Sequence, residues 1–305
     1  MNIKTVSIIG LGALGILFGH HLSKKMPKVD LRIIANQDRI KRYEKDKILC
    51  NGERCQFNYV TPDAVCEPAD LLIFTVKFDG LEDAVQAVKN HVGEHTIILS
   101  ALNGITSEAV IGQTYGMDKV LYCVAQGMDA VKIGNELTYT NRGMLCFGDW
   151  EPGIVSEKVK RVADFFEKME FPYEVDTKMT KRQWGKFMLN VGVNQTVAVF
   201  NSNYGEIQRE GQAREIMIAA MREVMALSEY EGTYLTESDL EYWLGVLGRL
   251  DPEGKPSLAQ DIEARRHSEV ELFSGTVLEL GLKHGIPTPV NKKLYDKIKI
   301  MESQY

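Results

Sequence analysis

Lys186, Asn190 and Asn194 recur at four-residue spacing in a segment whose other members include Phe187, Met188, Leu189, Val191 and Val193. That spacing places three polar side chains on one slanted stripe of a helix. An ammonium and two amides set among apolar residues cost free energy unless something hydrogen-bonds to them. A bound polar molecule would satisfy them, and so would neighbouring loops or a helix cap; the spacing leaves both readings open. A second polar group follows Pro256. Ser257 stands at an N-cap position with Gln260 three residues later, a capping-box pair. Glu269 lies among Glu263, Arg265, Arg266 and Glu271 and reads as a solvated charge.

The other chemistry-bearing pattern is near the start. Gly10, Leu11, Gly12, Ala13, Leu14 and Gly15 follow an apolar strand pattern at 4–9 and open a helical pattern carrying Leu17, Phe18 and Leu22. A G-x-G-x-x-G run in that context cradles the pyrophosphate of NAD(H) or NADP(H). Gly10 permits the tight turn, Gly12 admits the phosphates to the backbone, and Gly15 lets helix and sheet pack closely, while the helix N-terminus attracts the anion. At the end of a second strand, 30–35, such proteins bind the adenosine ribose, with an acid for a 2′-hydroxyl or an arginine for a 2′-phosphate. Asn36 stands there, followed by Gln37, Asp38 and Arg39. Asn36 can hydrogen-bond a hydroxyl, and Arg39, with Lys41 or Arg42, can neutralise a phosphate; the same residues also suit a solvated helix start. Lys77 and Asn103 each follow the carboxyl end of a further apolar run, the edge at which doubly wound sheets bind ligands, although a surface loop and a simple turn describe them equally well.

Strands at 4–9, 30–35, 71–76 and 96–100 alternate with helical patterns such as 79–90, which predicts a parallel sheet. Short strands punctuated by Gly127, Gly134 and Gly143 follow over 121–147, then a helix at 153–169. From about residue 177 the pattern is helical, at 178–200, 204–231, 236–249, 257–284 and 289–303. The expected fold is therefore α/β: a Rossmann-type, doubly wound dinucleotide-binding domain over 1–177, followed by an all-helical substrate and catalytic domain over 178–305.

Composition narrows the function classes. With 44% hydrophobic and 26% charged residues the chain should fold as a globular protein, and a net charge of −6 offers no basic stripe for nucleic acid. Five cysteines, all before residue 150 and with no C-x-x-C pair, suit neither a disulfide framework nor a zinc site, so no metal is expected. The apolar stretch at 6–18 is interrupted by glycines and lacks a cleavage site, so a leader peptide is not expected; nor is a membrane span, and a cytoplasmic protein is the default.

Taken together, the chain resembles the ketopantoate reductase (2-dehydropantoate 2-reductase) family over essentially its whole length. The resemblance rests on the glycine run at 10–15, Thr75-Val76-Lys77, Asn103-Gly104, the Trp184, Lys186, Asn190, Asn194 series, the series from Ser257 through Gln260, Asp261 and Ile262 to Glu269, and the His284 to Pro289 segment. It implies that Lys186 is the catalytic lysine and Glu269 its acidic partner at the reacting oxygen. It further implies that Asn190, Asn194 and Ser257 contact substrate and that Lys77 and Asn103 lie beside the nicotinamide and its ribose. The implied reaction is NADPH-dependent reduction of 2-dehydropantoate to pantoate, towards pantothenate, with NADP(H) preferred and NAD(H) open, a small 2-oxo acid as partner and a homodimer compatible. The chain departs from the family pattern at Tyr204, where a further substrate asparagine is usual, and at Asn36, where arginine is common in NADPH users. Those departures keep in play an NAD(H)-linked dehydrogenase of another 2-hydroxy acid, of the D-mandelate type. A nicotinamide-sensing protein without turnover would have no need of Lys186 and Glu269.

Overall fold

The computed structural model describes residues 2–305. The chain divides into two compact units, one ending at Thr180 and the other spanning Lys181–Tyr305.

Among the described residues, twelve strands belong to the first unit: β1 (Val6–Ile9), β2 (Leu31–Ile34), β3 (Leu49–Cys50), β4 (Glu53–Arg54), β5 (Asn58–Val60), β6 (Leu71–Phe74), β7 (Ile97–Ser100), β8 (Val120–Met128), β9 (Val131–Ile133), β10 (Glu136–Thr138), β11 (Arg142–Gly148) and β12 (Tyr173–Val175). Eight of them form one sheet in the order β12-β11-β8-β7-β6-β1-β2-β5, parallel throughout except where β11 runs against β8. From β1 the chain steps outward to β2 and β5, then returns across β1 to β6, β7 and β8. The reversal of direction between β1 and β6 is the switch point of a doubly wound sheet.

β1, β6 and β7 are four-residue runs buried on both faces, as their mainly apolar sequences require, with Ser7 and Ser100 the buried polar exceptions. Alternate residues serve different layers. Val6, Ile8, Leu71 and Ile73 pack with Ile16, Leu17 and Phe18 of α1 (Ala13–Ser23), whereas Ile9, Leu72 and Phe74 pack with Leu81 and Val85 further along the chain. α2 (Gln37–Asp46) follows β2, and α3 (Leu81–Ala87) and α4 (Ser107–Tyr115) follow β6 and β7. A helix expected over 79–90 is thus a seven-residue α-helix between two 3-10 turns. The helix expected from 153 begins only at α5 (Glu157–Lys168), where the Ser156 hydroxyl accepts from Val159 N. β3 and β4 meet in a two-residue hairpin whose Asn51 and Gly52 both have positive φ, +47° and +77°, and with β9 and β10 they make a second, four-stranded sheet.

The second unit is helical. α6 (Met179–Val199) enters it, followed by α7 (Tyr204–Gln208), α8 (Gln212–Tyr230), α9 (Glu237–Leu247), α10 (Ser257–Glu263), α11 (Thr276–His284) and α12 (Pro289–Glu302). Two expectations are corrected here. The single helix over 204–231 is two, because the chain extends at Gly211 with φ of +147° before α8 begins. The single helix over 257–284 is interrupted: Arg265 turns left-handed at φ +52°, Arg266 N–H closes onto Asp261 O, and Ser268 is held by the buried Glu302 carboxylate through its N–H and its hydroxyl. The chain then resumes as a five-residue π turn, Glu271–Gly275, leading into α11. Among the described residues no helix is long and apolar enough to cross a membrane.

Candidate active site

In the first unit the register of the sheet sets one edge. Ile9, Phe74 and Ser100 stand side by side in β1, β6 and β7, so the segments after them leave the sheet together. Those segments carry Gly10 to Gly15, Lys77 and Asn103. The glycine turn is locked from the neighbouring strand end: Thr75 Oγ1 donates to Gly10 O at 2.7 Å. Gly10 has φ of +96°, and a Cβ there would sit 2.8 Å from the Thr75 carbonyl carbon; a Cβ on Gly15 would sit 2.1 Å from Gly10 O. Only glycine fits either place. Gly12 differs, since a Cβ would meet nothing nearer than Thr75 O at 3.8 Å. The space over Gly12 is therefore open to a ligand rather than filled by protein.

Gly12 is the N-cap of α1, with no side-chain cap and no acidic residue in the first turn. The first N–H groups of a helix, here those of Ala13, Leu14 and Gly15, have no intrahelical acceptor. An anion is the natural partner for such donors at a helix's positive end. Leu11 is buried and anchors the turn from below, while Ala13 and Leu14 are half-buried. The cradle thus fits a dinucleotide pyrophosphate.

Asn36 caps α2, its Oδ1 accepting from Arg39 N at 2.9 Å. The carboxamide oxygen is thereby committed to the helix, and the exposed Arg39 side chain is carried one turn further on. Lys77 is exposed before a 3-10 turn, and Asn103 is half-buried before Gly104. Thr75, the clamp on the glycine turn, and the buried carboxyl of Glu108, which accepts from Ser107 Oγ at 3.0 Å, had no assigned role from the sequence. A hydroxyl closing an apolar strand that faces a glycine turn was the available clue to Thr75.

In the second unit α6 carries Lys186, Asn190 and Asn194 as one stripe. Its packing faces are elsewhere: a Cβ on Gly185 would overlap the Trp243 ring of α9, and one on Gly192 would approach Met221 of α8. At 3.6 residues per turn the polar stripe lies roughly 100° to 180° around the helix from those glycines. Lys186 and Asn190 are half-buried and Asn194 is buried. Asn194 Oδ1 accepts from Leu258 N and from Ser257 Oγ, both at 3.4 Å. The stripe and the start of α10 are thus joined directly. Ser257 is not the N-cap expected of it: Pro256 occupies that position in extended conformation, and exposed Ser257 is the first helical residue. Gln260 reaches back to Lys255 O instead of completing a capping box. Glu269, expected to be solvated, is half-buried on the bend between α10 and the π turn. Tyr204 packs its ring against Gly254, and burial pushes its phenol up to about 12.

Family comparison accounts for both units. Residues 6–152 match the family described as Ketopantoate reductase PanE/ApbA, and residues 178–302 match its C-terminal part. A 2-dehydropantoate 2-reductase from Aquifex aeolicus is 26% identical over 300 residues, 97% of this chain and 96% of that protein. Among solved structures, a PanE/ApbA family ketopantoate reductase from Ralstonia eutropha superposes with a TM-score of 0.84 at 24% identity, covering 98% of this chain and 99% of that one. D-mandelate dehydrogenase with NADH and anilino(oxo)acetate has the same fold, with a TM-score of 0.86 at 20% identity and the same coverage. The chain belongs to the ketopantoate reductase family of NAD(P)H-dependent oxidoreductases.

Proposed function

We propose that the protein reduces 2-dehydropantoate to pantoate with NADPH, a step towards pantothenate. The observation that carries this reading is the stripe of half-buried Lys186 and Asn190 with buried Asn194, joined to Ser257, in a chain whose other unit holds an open pyrophosphate cradle. On this reading the Rossmann-type unit binds the dinucleotide and the helical unit supplies the substrate-side groups. Gly10 to Gly15 receive the pyrophosphate, Asn36 and Arg39 face the adenosine ribose, and Lys77 and Asn103 stand beside the nicotinamide ribose.

NADPH, when bound, supplies the hydride. Negative charge then develops on the former carbonyl oxygen of the 2-oxo acid, and Lys186 is assigned to meet it as an ammonium that donates a hydrogen bond and then a proton. Glu269 is assigned to keep that ammonium charged. Asn194 has its oxygen engaged by α10, so its amide N–H groups remain to bind a substrate carboxylate; Asn190 and the Ser257 hydroxyl would hold the rest of the substrate, including a distal hydroxyl.

A second reading is favoured by Asn36 and Tyr204. With asparagine and not arginine just after β2, a 2′-phosphate has fewer cationic partners, and the aromatic ring of Tyr204 suits a bulkier substrate. It is an NAD(H)-linked dehydrogenase of another 2-hydroxy acid. A matrix of NADPH and NADH against 2-dehydropantoate, phenylglyoxylate and branched 2-oxo acids, followed by loss of nicotinamide absorbance, decides between them. Turnover confined to NADPH with 2-dehydropantoate supports the first reading, and turnover confined to NADH with aromatic or branched 2-oxo acids supports the second. Cofactor binding without turnover on any 2-oxo acid overturns both.

A further inference from the structure

A cavity of about 390 Å3 opens in the first unit away from the glycine turn. Its walls come from the end of α2, the β3–β4 hairpin and β5. α2 starts at the carboxyl end of β2, after Asn36, and runs back over 10 residues, about 15 Å, with Tyr43 in its second half and Lys47 just past its end. Lys28, which also lines the cavity, precedes β2. The cavity therefore lies towards the amino ends of strands whose carboxyl ends form the dinucleotide edge.

The lining has a definite chemistry. Lys28, Lys47 and Arg54 contribute three positive charges against one carboxylate, Glu44, in a chain whose overall charge is −6. Among the described residues no carboxylate pairs with any of the three cations, and none hydrogen-bonds the Tyr59 hydroxyl. Burial raises the Tyr59 phenol well above its ordinary range, with Cys55, Tyr43 and Glu44 adding to the effect and Arg54 opposing it. Arg54 and Glu44 line the same cavity as that hydroxyl. The rings of Tyr43 and Tyr59 lie 5.8 Å apart at 32°, giving an aromatic wall. At the end of α2, Asn135 Nδ2 donates to Asp46 O and Lys47 O, and Lys47 N–H donates to Tyr43 O, so these three carbonyls are engaged within the protein.

We propose that this cavity binds a small aryl phosphate at a site separate from the dinucleotide cradle. Its net excess of two positive charges matches a phosphate monoester, which carries about −1.5 to −2 near neutral pH. The two tyrosine rings take the aryl group, and the Tyr59 hydroxyl with Arg54 supplies donors to the phosphate. A volume of this size accommodates a ligand of one ring and one phosphate.

The test is calorimetric titration of the full chain with phenyl phosphate, in the presence and absence of saturating NADPH, with inorganic phosphate and phenol as separate arms. Saturable binding of phenyl phosphate that NADPH does not displace, stronger than either fragment, is expected. Arg54→Gln, at an exposed position, should weaken it about tenfold or more without altering NADPH binding, and Tyr59→Phe should weaken it less. Absence of saturable binding at millimolar concentration overturns the proposal, as does displacement by NADPH or binding that Arg54→Gln leaves intact. Inorganic phosphate binding as tightly as phenyl phosphate overturns the assignment of the aromatic wall.

Discussion

Replacing Gly12 by alanine should separate cofactor binding from folding. At φ −78° and ψ −163° Gly12 holds a backbone that alanine adopts without strain, and the added Cβ contacts only Thr75 O, at 3.8 Å. Alanine is the poorer N-cap, a cost of about 0.5–1 kcal/mol to the helix. It also removes freedom from the unfolded chain, which favours the fold by about 0.4–1 kcal/mol. These offset, so unfolding free energy should stay within about 0.5 kcal/mol of the unsubstituted protein. Binding has no such compensation. The methyl group would stand where a pyrophosphate must approach the N–H groups of the first turn, and losing two hydrogen bonds to a charged partner at about 1.5 kcal/mol each removes about 3 kcal/mol. That is a weakening of about a hundredfold in Kd. NADPH titration followed by nicotinamide fluorescence, beside thermal unfolding, measures both quantities. Gly15→Ala should behave in the opposite manner, because its Cβ would lie 2.1 Å from a backbone oxygen that has no room to move, costing about 1–3 kcal/mol or more in stability. NADPH binding by Gly12→Ala within about threefold of normal would refute the cradle; normal stability of Gly15→Ala would refute the packing of the turn.

Lys186→Ala should lower kcat by about 10²–10⁴-fold, the usual contribution of a positioned proton donor, and leave NADPH affinity nearly unchanged; equal loss of both would show that the lysine serves the fold or the cofactor instead. Gln195 is fully buried, donates to Asn291 Oδ1 at 3.1 Å and accepts from Ser274 Oγ of the π turn. Gln195→Ala should therefore destabilise by about 2–4 kcal/mol through lost packing and unpaired polar groups, and a melting temperature unchanged by the substitution would show that the network does not hold the π turn. Burial, first among the causes, lowers the imidazole pKa of His20, His21 and His91 below 6.5. Groups of this kind bind protons more readily in the unfolded chain, so their contribution is neutral above the unfolded pKa and increasingly destabilising as pH falls below it. Thermal unfolding should accordingly shift to lower temperature between about pH 7.5 and pH 5.5, and a flat profile across that range would mean that these rings are not held neutral.

What could be read from residues alone follows the range of the interactions involved. β1, β6 and β7 are legible because each is a short run, apolar apart from Ser7 and Ser100, whose burial on both faces comes mainly from its own side chains. The turn from Gly10 to Gly15 is legible because its steric requirement is met within the motif and by one neighbouring strand end. The break after α10 was not legible. It depends on Glu302, 34 residues away, holding Ser268, and on a left-handed arginine that no local propensity favours. Ser257 was misplaced by one residue for a related reason: proline fixes the extended entry into α10, so the polar residue that looked like a cap became the first helical residue. The strands β3 and β4, two residues each, carry too little periodicity to be seen, although their Asn51-Gly52 turn is a strong hairpin pair once noticed.

Asn36 and Asn194 show why a polar residue in a promising place should not be assigned to a ligand or to the fold as though the two were exclusive. Each has its carboxamide oxygen engaged at the start of a helix, Asn36 by Arg39 N and Asn194 by Leu258 N. An amide whose oxygen is held by a helix N-terminus has its orientation fixed, and its N–H groups are then presented in one direction. On the proposed reading, the bond that anchors α10 leaves Asn194 with donors to offer a substrate carboxylate. For Asn36 the engaged oxygen is withdrawn from a 2′-hydroxyl donor, while its N–H groups can still donate to a ribose or phosphate oxygen, and the exposed Arg39 follows within the first turn of α2. On the proposed reading, cofactor preference would turn on whether the exposed Arg39 side chain folds back over the cap. Arg39→Ala should reduce the preference for NADPH over NADH by about tenfold, the worth of one charged hydrogen bond to phosphate; an unchanged ratio would assign the ribose end to other residues.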